Sequence, residues 1–234
     1  MIDFYCIHKE NDSATQQPLT DAVNSGKQFG INVIPYPGVY SNIETIIKTK
    51  ELFKYQPVMT TGELGCFLSH YLLWEQCARD NIPIGVLEYD AVFINDIPYN
   101  IVDKFDDFLH LDYIRHTHFK NSYYESSTYR EYLKEINRTK KNILTIDKLN
   151  ETKTPPNRNP FSYIKQNQIN GNHGYIIKPS GAKKLLNATK EYGIITSDYQ
   201  INLKYVNMYY TSPSIVMINP NDIHNRSMAS HTIK

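Results

Sequence analysis

No apolar run in this 234-residue chain approaches the roughly 20 residues of a membrane span, which argues against an integral membrane protein. The opening residues, Met1-Ile2-Asp3-Phe4-Tyr5, lack the basic-then-apolar pattern of a secretion signal. Cysteine is scarce: Cys6, Cys66 and Cys77 make an odd count without metal-ligand spacing. That argues against a disulfide framework and predicts reduced thiols and a cytoplasmic location, bacterial or, for a phage-encoded chain, host. No arginine occurs before Arg79, no internal repeat is visible, and the last residues, Ser227 to Lys234, form neither a basic tail nor an amphipathic anchor. Attachment to a membrane is therefore not expected.

Charge and tyrosine are plentiful, and the charge is segregated. The net charge of +1 hides an acidic half: residues 1–112 carry 7 Lys/Arg against 16 Asp/Glu. Residues 113–170 reverse the balance with 11 against 5, and residues 171–234 carry 7 against 3. Such asymmetry suits an acidic site that holds a cation and a basic face that receives an anion. Evenly solvated surface charge is the plainer alternative.

Apolar runs at 2–7, 31–34, 84–87, 173–177 and 214–218 read as strands. Thr60 or Thr61 can cap a helix from about Glu63 to Asp80, whose apolar residues Leu64, Phe67, Leu68 and Tyr71 follow the i, i+3, i+4 spacing of one buried face. Further helices are expected after Asp12 and from Pro179. Alternating strands and helices predict an α/β domain with a mostly parallel sheet flanked by helices. The stretch 113–170, rich in Tyr, Asn, Lys and Arg with one helix near 126–138, reads as a variable basic insertion within a single domain.

Two segments carry the chemistry. Gly62-Glu63-Leu64-Gly65-Cys66-Phe67-Leu68-Ser69-His70 opens the long helix, and Glu88-Tyr89-Asp90 ends the strand that begins at Ile84. Side chains two apart on a strand share a face, so Glu88 and Asp90 can converge on one point. Paired carboxylates at a strand's C-terminal edge suit a hard divalent cation holding a diphosphate, hence an enzyme of nucleotide-activated substrates. A solvated strand end is the alternative.

Together with Gly171-Asn172-His173-Gly174-Tyr175-Ile176-Ile177, Gly181-Ala182-Lys183-Lys184-Leu185 and Thr196-Ser197-Asp198, these segments resemble glycosyltransferase family 25 in order and spacing. The resemblance implies a GT-A-like, Rossmann-related fold, a nucleotide-sugar donor (a UDP-sugar by default) and inversion at the anomeric carbon. It implies Mn²⁺ or Mg²⁺ held by Glu88 and Asp90, with Tyr89 standing where the family has a middle carboxylate. Asp198 becomes the candidate general base or an additional site carboxylate, although it also suits a helix cap. Glu63, Ser69 and His70, with Tyr89, are implied to lie at the donor, while Glu63 and His70 also suit a hydrogen-bonded structural pair. Lys9 or His8 is implied to stand in for the arginines usual after the first strand. The halves 1–112 and 171–234 are assigned to donor and metal, and to acceptor and catalysis.

The acceptor side is expected from Asn170 and Asn172, which could contact sugar hydroxyls or simply make a turn, and from Arg115, Lys140, Lys141 and Arg158. Cations interleaved with aromatics fit an anionic acceptor. A phosphorylated oligosaccharide of the lipopolysaccharide type is set ahead of DNA bearing hydroxymethylcytosine, since no DNA-binding motif is visible. A degenerate protein that binds nucleotide-sugar or polyanion without turnover is the non-enzymatic reading.

Overall fold

The computed structural model describes residues 2–53, 59–112, 124–150 (backbone alone over 124–132) and 172–220. Its centre is a seven-stranded sheet ordered β2-β1-β3-β7-β5-β8-β6. The strands are β1 Phe4–His8, β2 Val33–Pro37, β3 Ile84–Glu88, β5 Phe108–His110, β6 Thr145–Lys148, β7 Gly174–Ile177 and β8 Met208–Ser212. Five of them run in one direction, with β7 antiparallel between β3 and β5 and β6 antiparallel on the edge beside β8. The sheet is thus mostly parallel, as the alternating pattern predicts. β4 Ala91–Phe93 and β9 Val216–Ile218 form a separate antiparallel pair.

Strands β1, β3 and β7 are buried almost throughout because helices or the small sheet cover both faces. Strand alternation divides the core. Val86, Phe108, Tyr175 and Ile177 pack with Phe67, Tyr71 and Trp74 of α3 Thr61–Asp80 and with Leu185 of α5 Pro179–Tyr192. Leu87, Leu109 and Ile176 pack on the other face with Leu19 and Ala22 of α1 Ser13–Gln28, with Phe93 and with Val216. A short α2 Ile43–Thr49 lies beside α3.

Helix α3 begins as its sequence predicts. Thr60 Oγ1 accepts the Glu63 N–H, and the Glu63 carboxylate accepts the Thr60 N–H, a reciprocal capping box. Asp12 likewise caps α1 by accepting from Ala14 N.

The basic stretch is not wholly peripheral. Helix α4 Tyr124–Lys141 leads into β6, and Ile146 pairs with Thr211 in the main sheet. Glu135 of α4 accepts the Ser214 N–H at 2.8 Å, and Arg138 donates to Ser212 Oγ at 3.1 Å. Strand β6 lies outside the expected strands; it is an exposed edge, with Leu144 and Ile146 packed against the core.

Candidate active site

Four elements meet at the C-terminal end of β3: β3 itself, the start of β7, the first half of α3 and α6 Ser197–Gln200. Period two sends Val86 and Glu88 to the α3 side, whereas Leu87 and Tyr89 join the opposite core layer. Glu88 and Asp90 do converge, and His173 completes the group: one ligand atom from each lies within 4.8 Å of the other two. Asp90 and His173 are buried, while the Glu88 side chain keeps 27% of its surface open to solvent. The backbone fixes this geometry, because Glu88 N donates to the His173 carbonyl at 3.0 Å and Asn219 N donates to the Asp90 carbonyl at 2.6 Å.

His173 is held in turn by Asp112, whose carboxylate lies 2.7 Å from Nδ1. Burial alone would lower the imidazole, but Asp112, with Asp90 and Glu88 beyond it, raises it to about 9.

His70 is fully buried under the same carboxylates. Its Nδ1 lies 2.8 Å from Tyr175 Oη, which also accepts the Trp74 indole N–H at 2.9 Å. Nε2 faces Glu88 Oε1 at 3.6 Å. A lone pair aimed at a carboxylate would be repelled, so Nε2 carries its proton toward Glu88. Burial disfavours charge on His70, yet Tyr175, Cys66 and Glu88 outweigh it and hold the imidazole well above its ordinary value. Cys66, His70 and Glu88 also come within 4.8 Å of one another. With Nε2 protonated, His70 orients Glu88 there.

Asp198 sits in the first turn of α6, whose N-cap is Thr196, so capping does not occupy its carboxylate. Oδ1 accepts the Asn172 side-chain amide at 2.9 Å. Burial raises its proton affinity, and the nearby Glu88 charge adds to this.

The other expected residues fall at varied distances from this chemistry. Ser69 is buried and serves the scaffold: its hydroxyl accepts the Val39 N–H at 2.8 Å and donates to the Gly65 carbonyl at 2.7 Å. Gly65 belongs to the same clamp, since a Cβ there would stand 2.2 Å from the Val39 carbonyl oxygen. Glu63 is engaged in the capping box. Lys9 pairs with Asp12 at 2.9 Å and lies 5.8 Å from the ring of Tyr40, at the end of the clamped loop. Tyr40 is 41% exposed; partial desolvation, then Cys66 and Glu88, hold its phenol above the ordinary value. Lys140 and Lys141 are exposed in the last turn of α4. They lead into β6, four strands from β3, about 19 Å at the usual spacing. Arg115, Arg158 and Asn170 lie outside the described residues.

His173, Asp112 and Tyr40 are the site neighbours that single-residue reading misses. His173 stands beside Gly174-Tyr175 in the sequence, but its partnership with Glu88 depends on which strand pairs with β3.

The family model described as glycosyltransferase family 25 (LPS biosynthesis protein) matches residues 16–201. The chain belongs to glycosyltransferase family 25. The match takes in α3, the Glu88–Asp90 corner, β7 and Asp198, the elements that build this family 25 site. Among solved structures, the chain is similar to apo mouse xyloside xylosyltransferase 1 at 12% identity and a TM-score of 0.38, over 85% of this chain and 78% of that one. A search of curated proteins finds no match. Among the described residues, no helix is long and apolar enough to cross a membrane.

Proposed function

We propose that this family 25 glycosyltransferase moves a sugar from a nucleotide-sugar, a UDP-sugar by default, to a hydroxyl of an anionic acceptor with inversion at the anomeric carbon. The observation that carries the reading is the convergence of Glu88, Asp90 and His173 at the β3 edge beside the half-buried carboxylate of Asp198.

Glu88 and Asp90 would hold a divalent cation, Mn²⁺ or Mg²⁺. The donor set fits, with carboxylate oxygens and an imidazole gathered in a largely buried corner. The cation supplies neutralisation of the charge that develops on the departing diphosphate. Asp198 takes the proton from the acceptor hydroxyl as its oxygen bonds to the anomeric carbon, and the bond from that carbon to the diphosphate oxygen breaks on the opposite face. A raised proton affinity makes Asp198 a better base than an exposed aspartate. Asn172 fixes the carboxylate's direction, His70 orients Glu88, and Lys9 offers a positive charge near Tyr40 for the donor phosphates.

A phosphorylated saccharide is the acceptor of this reading. One observation favours a second acceptor, DNA with a hydroxymethylated base: the cationic end of α4 lies far from the carboxylates, a separation that suits a long polyanion. The test is nucleotide release from a panel of nucleotide-sugars with Mn²⁺, offered either phosphorylated oligosaccharides or a hydroxymethylcytosine duplex. Turnover with one acceptor, abolished in Glu88→Ala and Asp90→Ala variants that remain folded, supports the reading. Turnover untouched by both variants removes the metal-site assignment. No release with any donor leaves a binding protein.

A further inference from the structure

Treating Glu88 and Asp90 as cation ligands leaves open what supplies the third protein ligand. Tyr89 does not, because it packs with Leu87 against the opposite core layer. The neighbouring strand offers one. β7 runs antiparallel to β3 with Leu87 opposite Gly174, so the residue before Gly174 lands beside Glu88. That residue is His173, whose carbonyl already accepts the Glu88 N–H at 3.0 Å.

We propose that His173 is the third protein ligand of the cation, oriented by Asp112, and that this nitrogen makes the centre select Mn²⁺ over Mg²⁺.

Three observations support this. A ring nitrogen of His173 lies within 4.8 Å of ligand oxygens from both Glu88 and Asp90, a spread that one bound ion can span. Nδ1 is committed to Asp112 at 2.7 Å, which leaves Nε2 for a metal. Asp112 is itself 2% exposed, just past β5 on the other side of β7, so the ring is gripped between two strands. A buried carboxylate on the distal nitrogen is the arrangement that orients a ligating histidine and raises its basicity. Mn²⁺, at the start of the first-row divalent series, binds a nitrogen ligand more readily than Mg²⁺, which demands near-ideal octahedral geometry and keeps its water.

The inference rests on the carboxylate site, and the experiment separates the two. Mn²⁺ alone is titrated into the full chain, followed by loss of the free-ion EPR signal and by pulsed EPR for nitrogen coupling to bound Mn²⁺. The expected result is a nitrogen coupling in the wild type that disappears in His173→Ala. Mn²⁺ affinity falls at least about tenfold in that variant and about tenfold in Asp112→Asn, while Mg²⁺ affinity barely moves. Bound Mn²⁺ without nitrogen coupling, its affinity lost in Glu88→Ala and Asp90→Ala, would overturn the role of His173 and leave the carboxylate site standing. Binding unaffected by both carboxylate variants, or absent from the wild type, overturns the carboxylate site and this inference together. Nitrogen coupling that persists in a folded His173→Ala variant would assign the nitrogen to His70, 3.6 Å from Glu88, and would likewise overturn the role of His173.

Discussion

The side-chain amide of Asn172 donates to the Asp198 carboxylate at 2.9 Å, tying the start of β7 to the short helix α6. Two residues far apart in the chain thereby set the direction of one candidate base.

Asp198 holds its proton more tightly than an exposed aspartate, chiefly through burial. A carboxylate raised on folding contributes stability at low pH and loses it as pH rises through its folded value. Asp198→Asn should therefore unfold at higher temperature than the wild type at neutral pH while losing about a hundredfold or more in transfer rate. Thermal melts beside nucleotide-release assays test this. A variant that is stabilised but fully active would end the base assignment.

The Asn172 hydrogen bond favours the ionised form of Asp198. Removing it in Asn172→Ala should move the acidic limb of the rate profile to higher pH. The measurement is kcat/KM against pH for the wild type and this variant; coincident limbs would contradict the role assigned to Asn172.

Gly65 lets α3 touch the Val39 backbone, and Ser69 then binds it. Gly65→Ala forces a carbon into contact with a carbonyl oxygen, an overpacking that costs about 1–3 kcal/mol. Ser69→Ala loses the bond to Val39 N and costs about 1 kcal/mol. Urea unfolding gives both values, and donor affinity should fall with them if the clamped Tyr40 loop serves the nucleotide.

Tyr175→Phe leaves the buried Trp74 indole N–H and His70 Nδ1 without their shared partner, at about 1–3 kcal/mol for each unsatisfied group. Trp74 is the chain's single tryptophan, so its emission reports the loss directly. An unchanged spectrum and unchanged stability would show that the network is dispensable.

Buried Asp107 accepts the Asn207 N–H at 3.0 Å and pairs with Lys184. Burial works to raise this carboxyl, but Lys184, Asn207 and Ser180 bring it below its ordinary value of 3.8. Its stabilisation is present above that value and is lost as pH falls through the lower folded one. Asp107→Ala should cost about 2–3 kcal/mol at pH 7, by chemical denaturation, with the gap to wild type closing in strong acid.

The sequence by itself determined what local physics encodes. The capping box and the buried face of α3 follow from residues three and four apart, so they are legible in one segment. Period two suggests the pairing of Glu88 with Asp90, but β3 ends at Glu88 and Asp90 lies in the turn before β4, so the turn completes their convergence. Strands with continuous apolar runs are legible, whereas β5 is only three residues long and β6 is an exposed edge; β8 lies inside the sheet and carries β-favouring Tyr209-Tyr210-Thr211 without such a run.

Only the tertiary structure decided partnership. The antiparallel insertion of β7 beside β3 brings His173 to the carboxylates, and β5 on its far side brings Asp112 to His173. The same packing turns Ser69 and Gly65 of the signature helix toward a loop, and sets Asn172 against Asp198. Sheet order is chosen by the burial of the whole chain at once. No window of sequence carries that choice.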